Sequence, residues 1–194
     1  MKRVSPEDLL SLEQYSRQRP AIRERVMAHK RKRQLAVGPH TVWLFEDRIT
    51  IQYQVQEMLR AERIFEADAI EEELAAYNPL IPDGSNWKVT LLIEYADPTE
   101  RARQLSLLKG IEAVCWVQVL GHGRVAAIAD EDLERESEEK TSSVHFLRFE
   151  LGPEMIASLR AGATLAVGVD HKHYRHAIDP VPAGVRDALC ADFA

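Results

Sequence analysis

Apolar residues recur along this chain with two periods, helical in the first part and alternating in the second. Ser5, Pro6 and Asp8 have the form of an N-cap, an N1 proline and an acidic N3. They predict a short helix with Leu9, Leu10, Leu12 and Tyr15 on its apolar side. Pro20 opens a second helical stretch to about residue 35. Ile22, Val26 and Leu35 face inward there, while Arg23, Arg25, Lys30, Arg31, Lys32 and Arg33 face water. Gly38-Pro39 ends it. Residues 41–45 are β-branched and aromatic and read as a strand. Ile51, Val55, Met58 and Leu59 then place one apolar stripe on a helix over about 50–63. Ile70, Leu74 and Tyr77 repeat the pattern in a helix closed by Pro79 and the Pro82-Asp83-Gly84 turn.

From Trp87 the period is two. Trp87, Val89, Leu91, Ile93 and Tyr95 share one face of a strand. Asp97-Pro98-Thr99-Glu100 caps a helix that Gly110 terminates. Residues 111–120 and 124–129 form a hairpin around Gly121-His122-Gly123. Residues 130–140 carry seven acidic and two basic side chains and read as an exposed helix or loop. A strand over 144–151, a helix over 153–160, a strand over 164–169 and a helix over about 183–193 complete the chain. Strands that follow a helical start, two of them joined by a tight turn, predict an α+β fold: a largely antiparallel sheet, a helical N-terminal third and a C-terminal helix. The expectation is a single domain over 1–194, helical over about 1–80 and β-rich over about 87–194, with its weakest boundary at 79–86.

Composition narrows the functional classes. Of 194 residues, 45% are hydrophobic and 29% charged, enough apolar surface to build a core. The net charge of -6 provides no cationic field, which disfavours nucleic acid. The dense basic run His29-Lys30-Arg31-Lys32-Arg33 instead suits the acidic 130–140 segment, in the same chain or across a homodimer. No apolar run reaches membrane-spanning length, and the N-terminus turns polar before any signal-type apolar region, so the expected location is cytoplasmic. Cys115 and Cys190 form no metal or redox motif, and both read as packed residues.

The richest chemical cluster is Asp170-His171-Lys172-His173-Tyr174-Arg175-His176. If the preceding strand continues, His171 and His173 share a face and His176 returns from the turn, an arrangement suited to a transition metal such as iron or zinc. His145, on a strand face with Leu147 and Phe149, is a further ligand or a buried partner. Glu57, Glu62 and Glu94 are candidate acidic ligands or acid–base groups, although Glu57 and Glu62 also suit pairing with Arg60 or Arg63. No GxSxG elbow or phosphate-binding glycine loop occurs, and no reaction is named by these residues.

Four segments, Glu57-Met58-Leu59-Arg60, Ile128-Ala129-Asp130-Glu131-Asp132, Lys140-Thr141-Ser142-Ser143-Val144-His145-Phe146-Leu147-Arg148-Phe149 and Val169-Asp170-His171, together resemble DUF3501, a bacterial family of unknown function. The resemblance spans nearly the whole chain and directs attention to Glu57, Asp130, His145 and His171. Through neighbouring rubrerythrin-like proteins and iron–sulfur oxidoreductases, it implies a metal-binding accessory of a redox or peroxide system. The alternative is a non-catalytic adaptor docking on such a redox protein. A small hydrolase using carboxylates and histidine is a third option. Where the family places proline after the Asp-His pair, this chain has Lys172, so His173 and His176 rest on spacing alone.

Overall fold

The computed structural model describes residues 2–132, 135, 137 and 139–193. In chain order the elements are α1 (Leu12–Lys30), β1 (Gln34–Ala36), β2 (Thr41–Phe45), α2 (Arg48–Glu62), α3 (Ala67–Tyr77), β3 (Asn86–Ile93) and α4 (Pro98–Leu107). They continue as β4 (Cys115–Val119), β5 (Arg124–Ala126), β6 (Ile128–Ala129), β7 (Val144–Glu150), α5 (Pro153–Arg160), β8 (Leu165–His171), β9 (Tyr174–Ile178) and α6 (Ala183–Cys190). The fold is α+β and every strand pairing is antiparallel. No described helix is long and apolar enough to cross a membrane.

The strands form two sheets where the pattern predicted one, ordered β1-β2-β3-β7-β6 and β5-β4-β8-β9. The split arises at Ala127. Before it, Ala126 pairs with Trp116 in the second sheet; after it, Ala129 pairs with Leu147 in the first. The run 124–129 is therefore two short strands, and the chain turns a corner by switching sheets. Trp43, Trp87, Leu91, Leu147 and Phe149 from the first sheet share one core with Val117, Leu165, Val167 and Val169 from the second. Tyr174 joins β9 to the β1–β2 turn: its hydroxyl donates to the Val37 carbonyl at 2.9 Å and accepts from the His40 N–H at 2.9 Å. Gly38 is required in that turn, at φ +80°, because a Cβ there would lie 2.5 Å from the His176 ring.

Several local expectations change. Pro20 lies inside α1 and does not begin a new helix. Ser16, whose carbonyl loses its intrahelical donor, and Pro20 are both exposed, so the vacant acceptor lies on the open face of the helix and is not sealed in the core. Tyr15 and Val26, buried on either side, hold the helix together. Ser11 caps α1, and the earlier Pro6–Asp8 segment is a single 3-10 turn. Leu35 belongs to strand β1 and not to the helix. Residues 111–114 precede the strand that begins at Cys115, and the described part of 130–140 is not helical; Leu133, Glu134, Glu136 and Glu138 lie outside the described residues.

Arg33, expected in water with its basic neighbours, is 2% exposed. Its guanidinium donates to the Phe45, Ala188 and Glu46 carbonyls at 3.0, 3.1 and 3.3 Å and pairs with Asp192, with Asp47 3.4 Å away. This tethers α6 and the residues after it to β2. A second, smaller apolar cluster of Ile51, Val55, Leu59, Leu74 and Ile81 binds α2 to α3.

Candidate functional site

The alternation of β7 sends His145, Leu147 and Phe149 inward, with His145 opposite Leu91. His145 is 0% exposed, so both ring nitrogens require partners within the protein. Nδ1 lies 2.6 Å from Asp130 Oδ2, and an ionised carboxylate only accepts, which assigns a proton to Nδ1. Nε2 lies 3.0 Å from Thr141 Oγ1, 3.1 Å from the Ser142 carbonyl and 3.9 Å from Glu112 Oε2. Asp130, just after β6 with φ at 49°, also accepts the Phe146 N–H at 2.9 Å. Asp130 and His145 are thus partners, fifteen positions apart. Glu112 was not a candidate; it faces the imidazole from the segment before β4, and its Oε2 is buried without a hydrogen-bond partner among the described residues.

His171 ends β8, and Lys172-His173 form the turn into β9. Its Nε2 donates to the Lys109 carbonyl at 3.1 Å, while Nδ1 accepts the His173 N–H at 3.3 Å. Burial holds its pKa below the ordinary histidine value. The His173 ring is 5.7 Å from that of His171, and His176 packs against Tyr174. This set does not fit a metal ion: the lone pairs of His171 and His145 are engaged within the fold. Among the described residues no three His, Cys, Asp or Glu side chains are grouped to hold one.

Glu57 lies apart from both histidines, on α2 facing α1. It accepts a 2.5 Å hydrogen bond from the Tyr15 hydroxyl and two at 2.8 Å from Arg19. Arg19 holds the Glu57 carboxyl below its usual range, and burial pushes the Tyr15 hydroxyl up. Glu62 and Glu94 are exposed; the Glu94 main chain bonds His40 through both its N–H and its carbonyl.

The Tyr15 ring, fixed by Glu57, is one wall of a cavity of about 320 Å³ between α1 and α2. Ile22, Val26, Ile49 and Tyr53 supply further apolar surface. Gln56 also lines it, but its amide is used at both ends by the Leu10 main chain. Arg25 and His29 bring positive or ionisable groups, and among the described residues no carboxylate lines the space. Arg25 is exposed and has no acidic partner among the described residues, whereas His29 Nε2 lies 2.5 Å from Asp47. Sequence reasoning placed Arg25 in water and Ile22 in the core, and it passed over Ile49 and Tyr53. Their one useful signal was an apolar face on α2 wider than the Ile51–Val55–Leu59 stripe needs.

Architecture and site define a two-sheet α+β protein with an amphipathic cleft in its helical layer. The chain matches the profile of DUF3501, described as a protein of unknown function, over residues 3–193. It is also similar to a protein of unknown function from Burkholderia pseudomallei, known from a crystal structure, with 48% identity, a TM-score of 0.94 and 100% of each chain covered. The chain belongs to the DUF3501 family. No curated protein matches it.

Proposed function

We propose that this protein is a binding accessory whose ligand, a small anionic amphiphile, occupies the cleft between α1 and α2. The observation that carries this reading is an apolar, aromatic-walled space whose lining among the described residues includes Arg25, without an acidic partner there, and no carboxylate. An aliphatic or aromatic carboxylate meets both conditions, with its body against Tyr15, Val26 and Tyr53 and its head toward Arg25. Glu57 is then a positioning residue that orients Tyr15. The redox or peroxide setting implied by the family resemblance supplies the context in which such a ligand is held. A transition metal at His145 or His171 is the less supported reading, because each imidazole would first have to give up internal hydrogen bonds.

Calorimetry and thermal unfolding with octanoate, octanol and octylamine test the proposal. Octanoate binds and raises Tm with concentration, octanol binds more weakly, and octylamine does not bind. Arg25→Ala weakens octanoate by roughly tenfold or more, since a charged hydrogen bond contributes about 1.5–3 kcal/mol, and leaves octanol unchanged. Equal binding of acid and amine, or no binding by any of the three, overturns it.

A further inference from the structure

A separate apolar hollow of about 390 Å³ lies on the helical layer, bounded by Leu9, Leu12, Ile64 and Ile70. Phe65 stands at its edge, 70% exposed, and Glu13 lies on the rim. The geometry follows from the end of α2. Arg63 adopts the left-handed conformation, φ 57°, and the Ile64 N–H donates to the Leu59 carbonyl. That turn sends Ile64 against the α2–α3 cluster and leaves Phe65 projecting. An exposed phenyl ring and an open apolar hollow, side by side, both leave apolar surface in water.

We infer that this face is an isologous contact with a second copy of the chain, in which Phe65 of each protomer fills the hollow of the other. A twofold axis makes a knob and a hole on one patch complementary, because each copy supplies what the other lacks. Charge points to the same occupant. Arg63, two residues before the knob, pairs with no carboxylate among the described residues, and Glu13 at the hole, which interacts with Ser11 and with the charge of Arg17 on its own helix, makes no salt bridge among them. Seating Phe65 in the partner's hollow brings Arg63 toward the partner's Glu13. This inference does not depend on the cleft ligand.

Sedimentation velocity over the micromolar range tests it. The wild-type chain is expected to dimerise, and Phe65→Asp to be monomeric with a Tm equal to that of wild type diluted to the monomer, since the side chain is exposed in the single chain. Arg63→Glu and Glu13→Arg should each weaken the dimer by roughly tenfold, as a lost charge pair at a protein contact does. The double variant Arg63→Glu with Glu13→Arg should recover it. A wild-type chain that stays monomeric, a dimer indifferent to Phe65→Asp, or a double variant no tighter than the singles overturns the inference. Octanoate binding by Phe65→Asp should match wild type, so failure here is distinct from failure of the cleft reading.

Discussion

Replacing Asp192 with asparagine isolates the energetics of a carboxyl buried just after α6. Asp192 is 3% exposed and pairs with Arg33, which three main-chain carbonyls also hold. Burial, assisted by the neighbouring charge of Asp47, outweighs the attraction of Arg33 and raises the Asp192 pKa from 3.8 to about 6. The native state therefore keeps a proton that the unfolded chain has already released. The resulting stabilisation is fully present below pH 3.8 and is lost as pH rises through about 6. The rise corresponds to about 3 kcal/mol. Asparagine cannot ionise, and Arg33 retains Asp47 and its carbonyls. Urea unfolding between about pH 4 and 8, followed by tryptophan fluorescence, reads the effect directly, because Trp87 packs 5.1 Å from Phe193. Wild-type stability relative to Asp192→Asn should fall by about 2.5 kcal/mol across that range, most of the full effect. Glu46, whose pKa burial also raises, is common to both chains and cancels. Parallel profiles would show that burial does not control this group; a difference that grows with pH would show that Arg33 does.

Gly168→Ala should destabilise by about 1–3 kcal/mol, since its Cβ would lie 2.4 Å from Trp116 Cζ2, while Gly152→Ala, with open space around it, should be near neutral in the same urea titration. Asp130→Ala strips the acceptor from His145 Nδ1 and the Phe146 N–H, for a loss of about 1–3 kcal/mol by chemical denaturation; unchanged stability would refute the buried-pair account. Cys115 is buried with its thiol pKa raised, so native protein should yield no Cys115 adduct with a thiol reagent, read by peptide mass, until it is unfolded.

Features set by neighbouring residues were legible in the sequence. The alternation from Trp87, the Asp97 cap with its Glu100 N–H bond, the helix at 153–160 and the β4–β5 hairpin all depend on contacts a few residues apart. The departures have distant causes. Arg33 looks solvated inside a basic run, yet its partners come from β2 and from residues 188 and 192. The division into two sheets turns on Ala127, whose N–H reaches the Cys115 carbonyl, and apolar alternation does not register that bond. The proline rule failed at Pro20 because a solvated helix face relieves the missing hydrogen bond.

The candidate site divides along the same line. Alternation alone put His145 in the core, the resemblance supplied Asp130, and nothing local could bring Glu112 to the far side of the ring. Histidine spacing suggests a ligand set only if the strand runs on through His173 before turning; β8 ends at His171 instead, and the turn at Lys172-His173 redirects His173 and gives its N–H to His171. Glu57 reads from the sequence as an acid–base candidate or a partner of Arg60 or Arg63, whereas its hydrogen bonds come from Tyr15 and Arg19 on α1, more than thirty positions away and beyond the reach of local pattern. The cleft was hidden for a different reason. On α2, Ile51, Val55 and Leu59 face the α3 side while Tyr53 and Ile49 face α1. Both sets satisfy the same amphipathic pattern, so periodicity cannot separate a core face from a binding face until the neighbouring helix is in place.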